Sequence, residues 1–522
     1  PSLFIYATTI CLGLYYLLGH CLGFFLDWDS FIQLYRNDWT SFLLIQRALS
    51  VLAGVFGVWA MARLGAALSD SNRFGLACGF LLAVTYLHVR DSHFGVTDIS
   101  ATTLATLSLW QSIQALREEN QRALTRAAVL AGLAASTKYP LGLVAVAPIL
   151  VFYLLARAQG AQGGDFSRKT ALVKREIHLL LCLVGAFFLA SPFVLFDFST
   201  FWADFSWQQD SFQRVFERED IDVGWIRHLN FSLLHGLGPM YLLAGLAGMV
   251  MAAWSREKIH WPLLTFAVLF YGVMGGNKTV FVRYAIPLIP IFCLYAVFCL
   301  EQIWKKLPGS IIARCVVLSI LILLVSGPGL SQCLRLDWLL AQPDTRSSAR
   351  NWLLQHLQPG DSVGVGKSLS HIDLPSSYAK YFLIPVEASG SSPHWPGHFM
   401  LPKEGKTAYL PNLRNEHNIN TYNDVDFLRR KKIRYVAVAS TPLKLFGTPD
   451  VELAALRNNP GLKLVAQFKN TCDERLEPPE SAYDWEDAFY VPFTEPGALC
   501  RPGPTVLIYE VLPAAGRGQK SR

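Results

Sequence analysis

The sequence C-V-V-L-S-I-L-I-L-L-V-S-G-P-G-L-S-Q-C occupies residues 315–333 and contains no charged side chain. A bilayer core is crossed by a helix of ~20 predominantly apolar residues, so this stretch predicts a membrane span. Similar runs precede it along the chain, whereas the sequence after Arg335 is as polar as a water-soluble protein. We therefore predict a polytopic α-helical membrane protein with a separate C-terminal domain at 334–522.

The overall composition agrees with this fold class. Of 522 residues, 52% are hydrophobic and only 16% are charged, whereas soluble domains carry about 25% charged residues. The net charge of +7 could indicate a nucleic-acid partner. Lysine and arginine lie mainly in short loops between apolar runs, however, which is the pattern of membrane topology. We predict membrane lipids as partners and no nucleic acid.

Apolar windows place the predicted spans along the chain. They are 41–62, 74–89, 99–116, 127–137, 140–156, 177–196, 235–254, 260–275, 284–304 and 311–332. If the loop from Arg63 to Arg73 is cytoplasmic, the other basic-rich loops fall on the same side. Loops 90–98, 197–234 and 276–283 and the C-terminal domain then lie on the outer face. This predicts a multi-pass protein of the plasma (inner) membrane with an extracytoplasmic α/β domain.

The first forty residues have two interpretations. Segment 1–26 is apolar enough to be a first span, or residues 1–40 form a juxtamembrane segment on the outer face. Trp28, Tyr35 and Trp39 suit a membrane interface. The chain starts without Met and without a signal-peptide pattern. We therefore expect further residues upstream and assign 41–333 to the multi-span domain.

The first polar cluster is V-R-D-S-H-F-G-V-T-D, from Val89 to Asp98. It brings Arg90, Asp91, His93 and Asp98 into one short predicted outer loop. One interpretation is a solvated turn with Asp98 as the N-cap of the next helix. The other is a catalytic or ligand-binding site, because ionisable groups at membrane boundaries are costly and usually face a cavity.

Two further clusters bring basic residues to the same predicted face. In A-A-S-T-K-Y-P-L-G, residues 134–142, Lys138 interrupts an apolar hairpin, so it either binds a phosphate or extends to the interface. In G-G-N-K-T-V-F-V-R-Y, residues 275–284, Lys278, Arg283 and Tyr284 precede a proline-rich span. Arginine can bind phosphate oxygens in bidentate fashion. The alternative role is again a boundary anchor.

Loop 197–234 combines aromatic and acidic residues. They are Phe201, Trp202, Phe205, Trp207, Phe212, Phe216 and Trp225 with Asp204, Asp210, Glu217, Glu219, Asp220 and Asp222. Such a segment is typical of amphipathic helices at the headgroup level, and aromatic rings also suit sugars. Together the clusters predict a cationic pocket that holds a lipid phosphate, with a carboxylate as base.

The order and spacing of these motifs resemble the glycosyltransferase C superfamily. R-D-S-H-F-G-V-T-D, then A-G-L-A-A-S-T-K-Y and F-V-R-Y-A-I-P-L-I-P are similar to the family-39-like enzymes, which include protein mannosyltransferases and the aminoarabinose transferase of lipid A. The resemblance covers about residues 1–335. It implies a sugar donor on polyprenyl phosphate and transfer on the outer face to a lipid, glycan or protein acceptor.

The resemblance implies that Asp98, Lys138, Arg283 and Tyr284 are active-site and donor-phosphate residues. Together with the polar clusters, this gives Asp98 and His93 as the candidate catalytic residues. The candidate phosphate-binding residues are Arg90, Lys138, Tyr139, Lys278, Arg283 and Tyr284. The family's principal catalytic aspartate lies in a first outer loop that this sequence does not show, and Pro1 to Phe4 resembles the end of that loop. Asp91 and Asp98 are poorly spaced for a metal site, so we assign no metal ligands, and dependence on a divalent metal cofactor is left open.

The C-terminal region predicts a small α/β domain. A helix is expected from Thr345 and another over 425–432, with strands at 362–366, 433–439 and 506–511. Cys472 and Cys500 are either bridged in an oxidising compartment or free thiols.

Two alternatives to a transferase stay open. One is a transporter or flippase of polyprenyl-linked glycans, although internal repeats and midplane charges are not evident. The other is a non-catalytic lipid-binding scaffold.

Overall fold

The computed structural model describes residues 2–158, 166–212, 223–366, 369, 372, 374, 379–383, 424–443, 447–473, 475, 478–484, 490–494 and 496–513. The chain forms two compact units. The first contains Pro1–Phe25 and Thr40–Leu334, and the second contains Leu26–Trp39 and Arg335–Arg522. The first unit is helical, and the strands of the described residues all lie in the second.

Most helices belong to the first unit. In chain order the helices as far as the unit boundary are α1 Ser2–Cys21, α2 Trp28–Asn37, α3 Thr40–Ser69, α4 Asn72–Ala83, α5 Tyr86–Ser92, α6 Thr97–Glu118, α7 Gln121–Thr137, α8 Val146–Ala158, α9 Phe166–Ala190, α10 Phe193–Phe196, α11 Phe198–Phe212, α12 Gly224–Arg227, α13 Leu234–Leu237, α14 Pro239–Ser255, α15 Trp261–Gly275, α16 Ile289–Lys306 and α17 Ile311–Leu340. Short 3₁₀ helices at Tyr139–Ala145 and Val282–Leu288 lead into α8 and α16. Helix α2 belongs to the second unit, and the unit boundary falls within α17.

The long apolar helices identify a membrane-embedded protein. Five helices of the described part are long and apolar enough to cross a bilayer, or six if the pair Gly224–Leu237 and Pro239–Ser255, bent by 113°, counts as one span. The apolar windows that start at Ser2 and Ile311 are only 11% buried within the protein, whereas the window of Val282–Lys306 is 78% buried. Leucine and isoleucine side chains on α1 and α17 therefore face outward, where lipid can cover them.

Two predictions about residues 74–98 are wrong. The single predicted span 74–89 is divided into α4 and α5, because α4 ends at Ala83 and a new helix begins at Tyr86. The predicted loop 90–98 is also shorter than expected, since Arg90 and Asp91 lie inside α5 and are fully buried, which excludes a solvated turn for these two residues. They form an ion pair in which Arg90 Nη1 lies 3.0 Å from Asp91 Oδ2, so the two charges are buried together.

Helices α14 and α16 pack closely through a glycine. Gly248 of α14 lies against the main-chain carbonyl of Tyr295 in α16, where an added Cβ would overlap the carbonyl oxygen. Small residues allow such close approach between membrane helices. This contact holds α16 in the centre of the first unit, directly after the segment that carries Arg283 and Tyr284.

The second unit contains a mixed five-stranded sheet. The strands are β1 Ser362–Gly366, β2 Ala379–Leu383, β3 Ile433–Ser440, β4 Leu462–Phe468 and β5 Thr505–Val511, in the order β2-β1-β3-β5-β4. The first three are parallel, and β5 pairs antiparallel with β3 and β4. Three further helices follow α17, namely α18 Thr345–His356, α19 Val425–Arg430 and α20 Asp450–Asn458.

The sheet is covered on both faces, which explains the continuous apolar run in β3. Tyr435 and Ala437 pack with Leu353 of α18, whereas Val436 and Val438 form a second core with helices α19 and α20. Strands buried on both faces are apolar at every position. The predicted α/β domain is confirmed, as are its helices from Thr345 and Val425. Cys472 and Cys500 form a disulfide.

Candidate functional site

A cavity of about 720 Å³ brings most of the predicted site residues together in the first unit. Asp98, Lys138, Tyr139, Arg283 and Tyr284 all line it. They come from three separate parts of the chain, at the start of α6, between α7 and α8, and before α16. Convergence on one cavity is what the cationic-pocket prediction required.

Local backbone structure fixes the positions of Asp98 and Lys138. Asp98 lies in the first turn of α6, whose N-cap is Val96, so the alternative interpretation of Asp98 as the N-cap does not hold. Lys138 is the C-cap of α7, and its extended backbone carries the chain from α7 into the 3₁₀ helix. Pro140 lies in the first turn of that 3₁₀ helix.

Lys138 is held between a carboxylate and an aromatic ring. Its ammonium forms an ion pair with Asp98 Oδ1 and lies 4.7 Å from the ring centre of Tyr284. The Asp98 side chain is 4% exposed and that of Lys138 is 18% exposed. Both partners are thus largely removed from water but reach the cavity, where a cation–π contact adds to the attraction.

Arg283 supplies the second positive charge of the cavity. Its guanidinium lies 4.4 Å from the ring centre of Phe281, and the side chain lines the same cavity as Lys138. Among the described lining residues, Lys138 and Arg283 are the cations and Asp98 is the carboxylate. Two positive charges and one negative charge leave a formal excess of one positive charge, which favours an anionic ligand.

An aromatic wall borders the cavity beside Lys138. The ring of Tyr139 lies 5.8 Å from that of Phe201 and 6.1 Å from that of Phe205, both in edge-on orientation. Phe205 itself lines the cavity. Both phenylalanines belong to α11, so these ring contacts pack α11 against the 3₁₀ helix Tyr139–Ala145. Phe216, Glu217, Glu219, Asp220 and Asp222 lie outside the described residues.

Three predicted site residues do not line the cavity. Arg90 is buried in its ion pair with Asp91 and lies over the ring of Phe94. His93 Nδ1 is 2.8 Å from the carbonyl oxygen of Val89, one turn earlier. Lys278 is exposed near the cavity segment but is not part of the lining. The structure therefore separates these three residues from Lys138 and Arg283.

The cavity also contains amide side chains that the sequence did not single out. They are Gln46, Gln208, Gln209 and Asn277. Gln46 Nε2 donates to the carbonyl oxygen of Gly95, 2.8 Å away, and so supports the loop before α6. Gln208 and Gln209 lie on α11, and Asn277 follows α15. The described residues contain no group of three or more His, Cys, Asp or Glu side chains placed to hold a metal ion.

Comparison with known proteins found one family similarity. The family profile described as "Dolichyl-phosphate-mannose-protein mannosyltransferase" matches residues 29–196. This part of the chain is therefore similar to the protein mannosyltransferases, in agreement with the resemblance expected from the sequence. A search of curated proteins found no match.

Solved structures give distant similarities. The oligosaccharyltransferase of Archaeoglobus fulgidus has a TM-score of 0.45 and 11% identity, over 78% of this chain and 59% of that one. ArnT from Cupriavidus metallidurans bound to undecaprenyl phosphate has a TM-score of 0.45 and 12% identity, over 94% of this chain and 88% of that one. The mycobacterial arabinofuranosyltransferase AftD has a TM-score of 0.39 and 16% identity, over 96% of this chain and 35% of that one. The chain spans about three fifths of the length of the archaeal protein.

Proposed function

We propose that the protein transfers a sugar from a polyprenyl-phosphate donor to a lipid, glycan or protein acceptor on the outer face of the plasma (inner) membrane. The observation that carries this proposal is the meeting of Lys138 and Arg283 in one cavity of a membrane-embedded unit. The matching family is named for a lipid-phosphate sugar donor, which supports the same substrate class. The predicted topology, with the basic-rich loops on the cytoplasmic side, supports the outer face.

The two cations account for the chemistry of the leaving group. During transfer the bond between the anomeric carbon and the phosphate oxygen breaks, and the lipid phosphate takes up the negative charge. The ammonium of Lys138 and the guanidinium of Arg283 stabilise that charge, and their fixed positions make the stabilisation effective. Arg283 binds two phosphate oxygens when it approaches them as a planar fork.

Asp98 acts in this proposal through Lys138. Its carboxylate is engaged by the ammonium and is shielded from water, so its main effect is to hold Lys138 at the cavity. A base must still remove the proton of the acceptor hydroxyl or amine. His93, the other candidate from the sequence, makes its contact with the α5 backbone and is not assigned this role.

The test is radiolabelled sugar transfer from a polyprenyl-phosphate donor by the full-length protein. We expect Lys138→Ala and Arg283→Ala to lower transfer at least tenfold, whereas Lys278→Ala, a basic residue outside the cavity lining, retains it. Equal transfer by the two cavity variants and wild type overturns the site. Transfer in detergent solution distinguishes the enzyme from a flippase, because a flippase needs two separated leaflets. Donor binding without sugar transfer favours the non-catalytic lipid-binding scaffold.

A further inference from the structure

We propose that the second unit docks on anionic phospholipid headgroups of the bilayer through a basic surface at the end of α19. The basic surface comprises Arg429, Arg430, Lys431, Lys432 and Arg434. These are five cations in six consecutive positions, R-R-K-K-I-R, and the proposed transferase site uses none of them. The proposal concerns the second unit alone and does not depend on the transferase activity.

The basic surface carries more positive than negative charge. Each arginine has a carboxylate beside it: Arg429 Nη1 lies 3.1 Å from Asp426 Oδ1, Arg430 Nη2 lies 3.9 Å from Asp424 Oδ2, and Arg434 Nη1 lies 2.8 Å from Asp361 Oδ2. Within the part of the chain that the structure describes, neither Lys431 nor Lys432 has a carboxylate partner. Glu510 of β5 is also close to Arg434, but it lies opposite Lys463 in the register of β4, so this pair leaves the excess unchanged. The remaining excess of positive charge favours an anionic partner.

One aromatic ring brings two of these cations together. The guanidinium carbon of Arg430 lies 5.8 Å, and the ammonium nitrogen of Lys431 lies 5.9 Å, from the ring centre of Phe427. Like charges beside the same ring repel, so an anion bound near both lowers the electrostatic energy of the surface. The Arg430 side chain is 66% exposed and Lys432 is exposed as well, so an extended anionic surface can reach them.

The backbone at Lys432 is unusual for a residue with a side chain. Its φ of +55° lies in the left-handed region, and its carbonyl oxygen accepts from the main-chain N–H of Ser362 at 3.2 Å, which fixes this conformation beside β1. Glycine is the usual residue at such a position after a helix, because it avoids the strain of a Cβ. The helix dipole explains cations in the last turn of α19, namely Arg429 and Arg430, but not Lys432 beyond it. Lysine at a strained position therefore indicates a role for its charge.

The attachment of the second unit to the membrane identifies the anion. The second unit continues from α17, which is long and apolar enough to span a bilayer, so it remains tethered to the membrane. Tethering makes contact with headgroups an intramolecular event at high effective concentration. Each lysine near an anionic membrane surface strengthens association by roughly fivefold, over a range of about 8 Å at physiological salt. Anionic headgroups therefore suit the basic surface better than a dilute soluble anion.

The experiment compares the full-length protein in nanodiscs of phosphatidylcholine with the same protein in nanodiscs that also contain phosphatidylglycerol. Hydrogen exchange of main-chain amides is measured over residues 424–434. Residues 499–505 are the internal reference, because they lead to Thr505, which pairs with Ser440 at the opposite end of β3. We expect exchange over 424–434 to be about threefold slower in the anionic discs, with the reference unchanged, and the difference to disappear at high salt.

Charge variants test which residues carry the effect. Lys431→Gln with Lys432→Gln should lose the difference between the two discs, whereas Lys431→Arg with Lys432→Arg should keep it. Arg475→Gln with Arg501→Gln is the matched control, because it removes the same charge from exposed positions outside the basic surface and should also keep the difference. Equal exchange of wild type in both discs, or a difference that persists in the double glutamine variant, overturns the proposal. Equal protection by inorganic phosphate in phosphatidylcholine discs overturns it as well, since the site then binds a small anion.

Lys432→Gly separates the charge of this residue from its place in the fold. Because glycine adopts the left-handed conformation without strain, this variant should raise the melting temperature by roughly 1–4 °C. The same variant should lose part of the difference in exchange between the two discs, since one cation is gone. A lower melting temperature with an unchanged lipid effect would assign Lys432 to the support of the fold and contradict the proposal.

Discussion

Lys138 forms its ion pair with Asp98, a residue 40 positions earlier in the chain, and the pair joins the end of α7 to the start of α6. Both side chains are largely shielded from water, at 18% and 4% exposure. The pair therefore has two effects: it stabilises the junction of the two helices, and it fixes the ammonium at the cavity. These effects can be separated by substitution.

We expect Asp98→Asn to lower the stability of the first unit by roughly 2 kcal/mol, because removal of one partner leaves a poorly solvated charge. The double variant Asp98→Asn with Lys138→Met should regain part of this loss, since the unpaired charge is then gone. Thermal unfolding in detergent measures both. A double variant that is no more stable than Asp98→Asn contradicts the assignment.

The same variants differ in ligand binding. Asp98→Asn raises the formal positive charge of the cavity, so binding of a polyprenyl phosphodiester should be retained or strengthened, while sugar transfer falls because Lys138 is no longer held in place. Lys138→Met should lose binding and transfer together. Equilibrium binding beside the transfer assay checks this, and loss of binding in Asp98→Asn contradicts it.

The sequence pointed to Asp98, Lys138 and Arg283, which line the cavity, but also to Arg90, His93 and Lys278, which do not. Lys138 and Arg283 are conspicuous because each is a lone cation beside long apolar runs, where burial without an anion is costly. The amides were missed because Gln208 and Gln209 lie in a segment whose aromatic and acidic residues dominate the pattern. The packing of α11 on Tyr139 brings Gln208 and Gln209 to the cavity lining, and this packing is not visible in the sequence.

Buried ion pairs explain why one prediction failed. Arg90 and Asp91 were expected in loop 90–98, but adjacent opposite charges can be buried together inside a helix. Nothing in the sequence distinguishes that arrangement from an exposed loop.

In the C-terminal domain, the apolar runs of β1, β3 and β5 were sufficient to predict strands. The short strand β2 and the half-exposed strand β4 were not predicted, because their pairing comes from the sheet and not from a local pattern.

Trp225 is predicted to hold the C-terminal part of loop 197–234 against α15. Its indole Nε1 donates to the carbonyl oxygen of Gly272 at 3.1 Å, and its ring lies where a side chain at Gly275 would be. We expect Gly275→Ala to displace the ring and to lower stability by about 1–3 kcal/mol, the usual result of overpacking. Donor affinity should fall as well, since neighbouring Met274 and Asn277 line the cavity.

Gly272→Ala is the matched control for this prediction. Nothing lies within 4 Å of a Cβ at Gly272, so alanine there should be neutral or should stabilise α15 by up to about 1 kcal/mol through its helix propensity. Thermal unfolding and acrylamide quenching of tryptophan fluorescence measure the two variants. Equal melting temperatures and equal quenching for the two variants would show that the position of the Trp225 ring does not require glycine at 275.

The ion pair between Asp361 and Arg434 should make the second unit sensitive to acid. Burial acts to raise the pKa of Asp361, but its Oδ2 accepts from the main-chain N–H of Gln358 and from Arg434, each at 2.8 Å, and the net effect lowers the pKa below the ordinary 3.8. A carboxyl whose folded pKa is lowered stabilises the fold above its unfolded pKa, and this contribution is lost as the pH falls through the folded value.

We therefore expect Asp361→Asn to be less stable than wild type at pH 7 by on the order of 0.5 kcal/mol, as for a partly exposed pair, with the difference gone near pH 2. Arg434→Gln should remove the part of this pH dependence that comes from the ion pair, whereas the part from the main-chain N–H of Gln358 should remain. The double variant should add little to either single one, because both remove one interaction. If the stability difference between wild type and Asp361→Asn persists unchanged in acid, a contact other than this ion pair accounts for it.

The disulfide between Cys472 and Cys500 is predicted to be a main support of the second unit. The two cysteines are 28 residues apart, and closing a loop of that length reduces the entropy of the unfolded chain by an amount worth about 3 kcal/mol. The contact is reinforced where the main-chain N–H of Cys500 donates to the carbonyl oxygen of Asn470 at 2.8 Å.

The double variant Cys472→Ser with Cys500→Ser should unfold at a correspondingly lower temperature, and dithiothreitol should lower the melting temperature of wild type to that of the variant. Cys315→Ser, at an exposed unpaired cysteine of α17, should change neither melting temperature nor sensitivity to the reductant. Because dithiothreitol acts on the variant only if another bridge exists, a further shift in the reduced variant would contradict the assignment of the stability to this single bond.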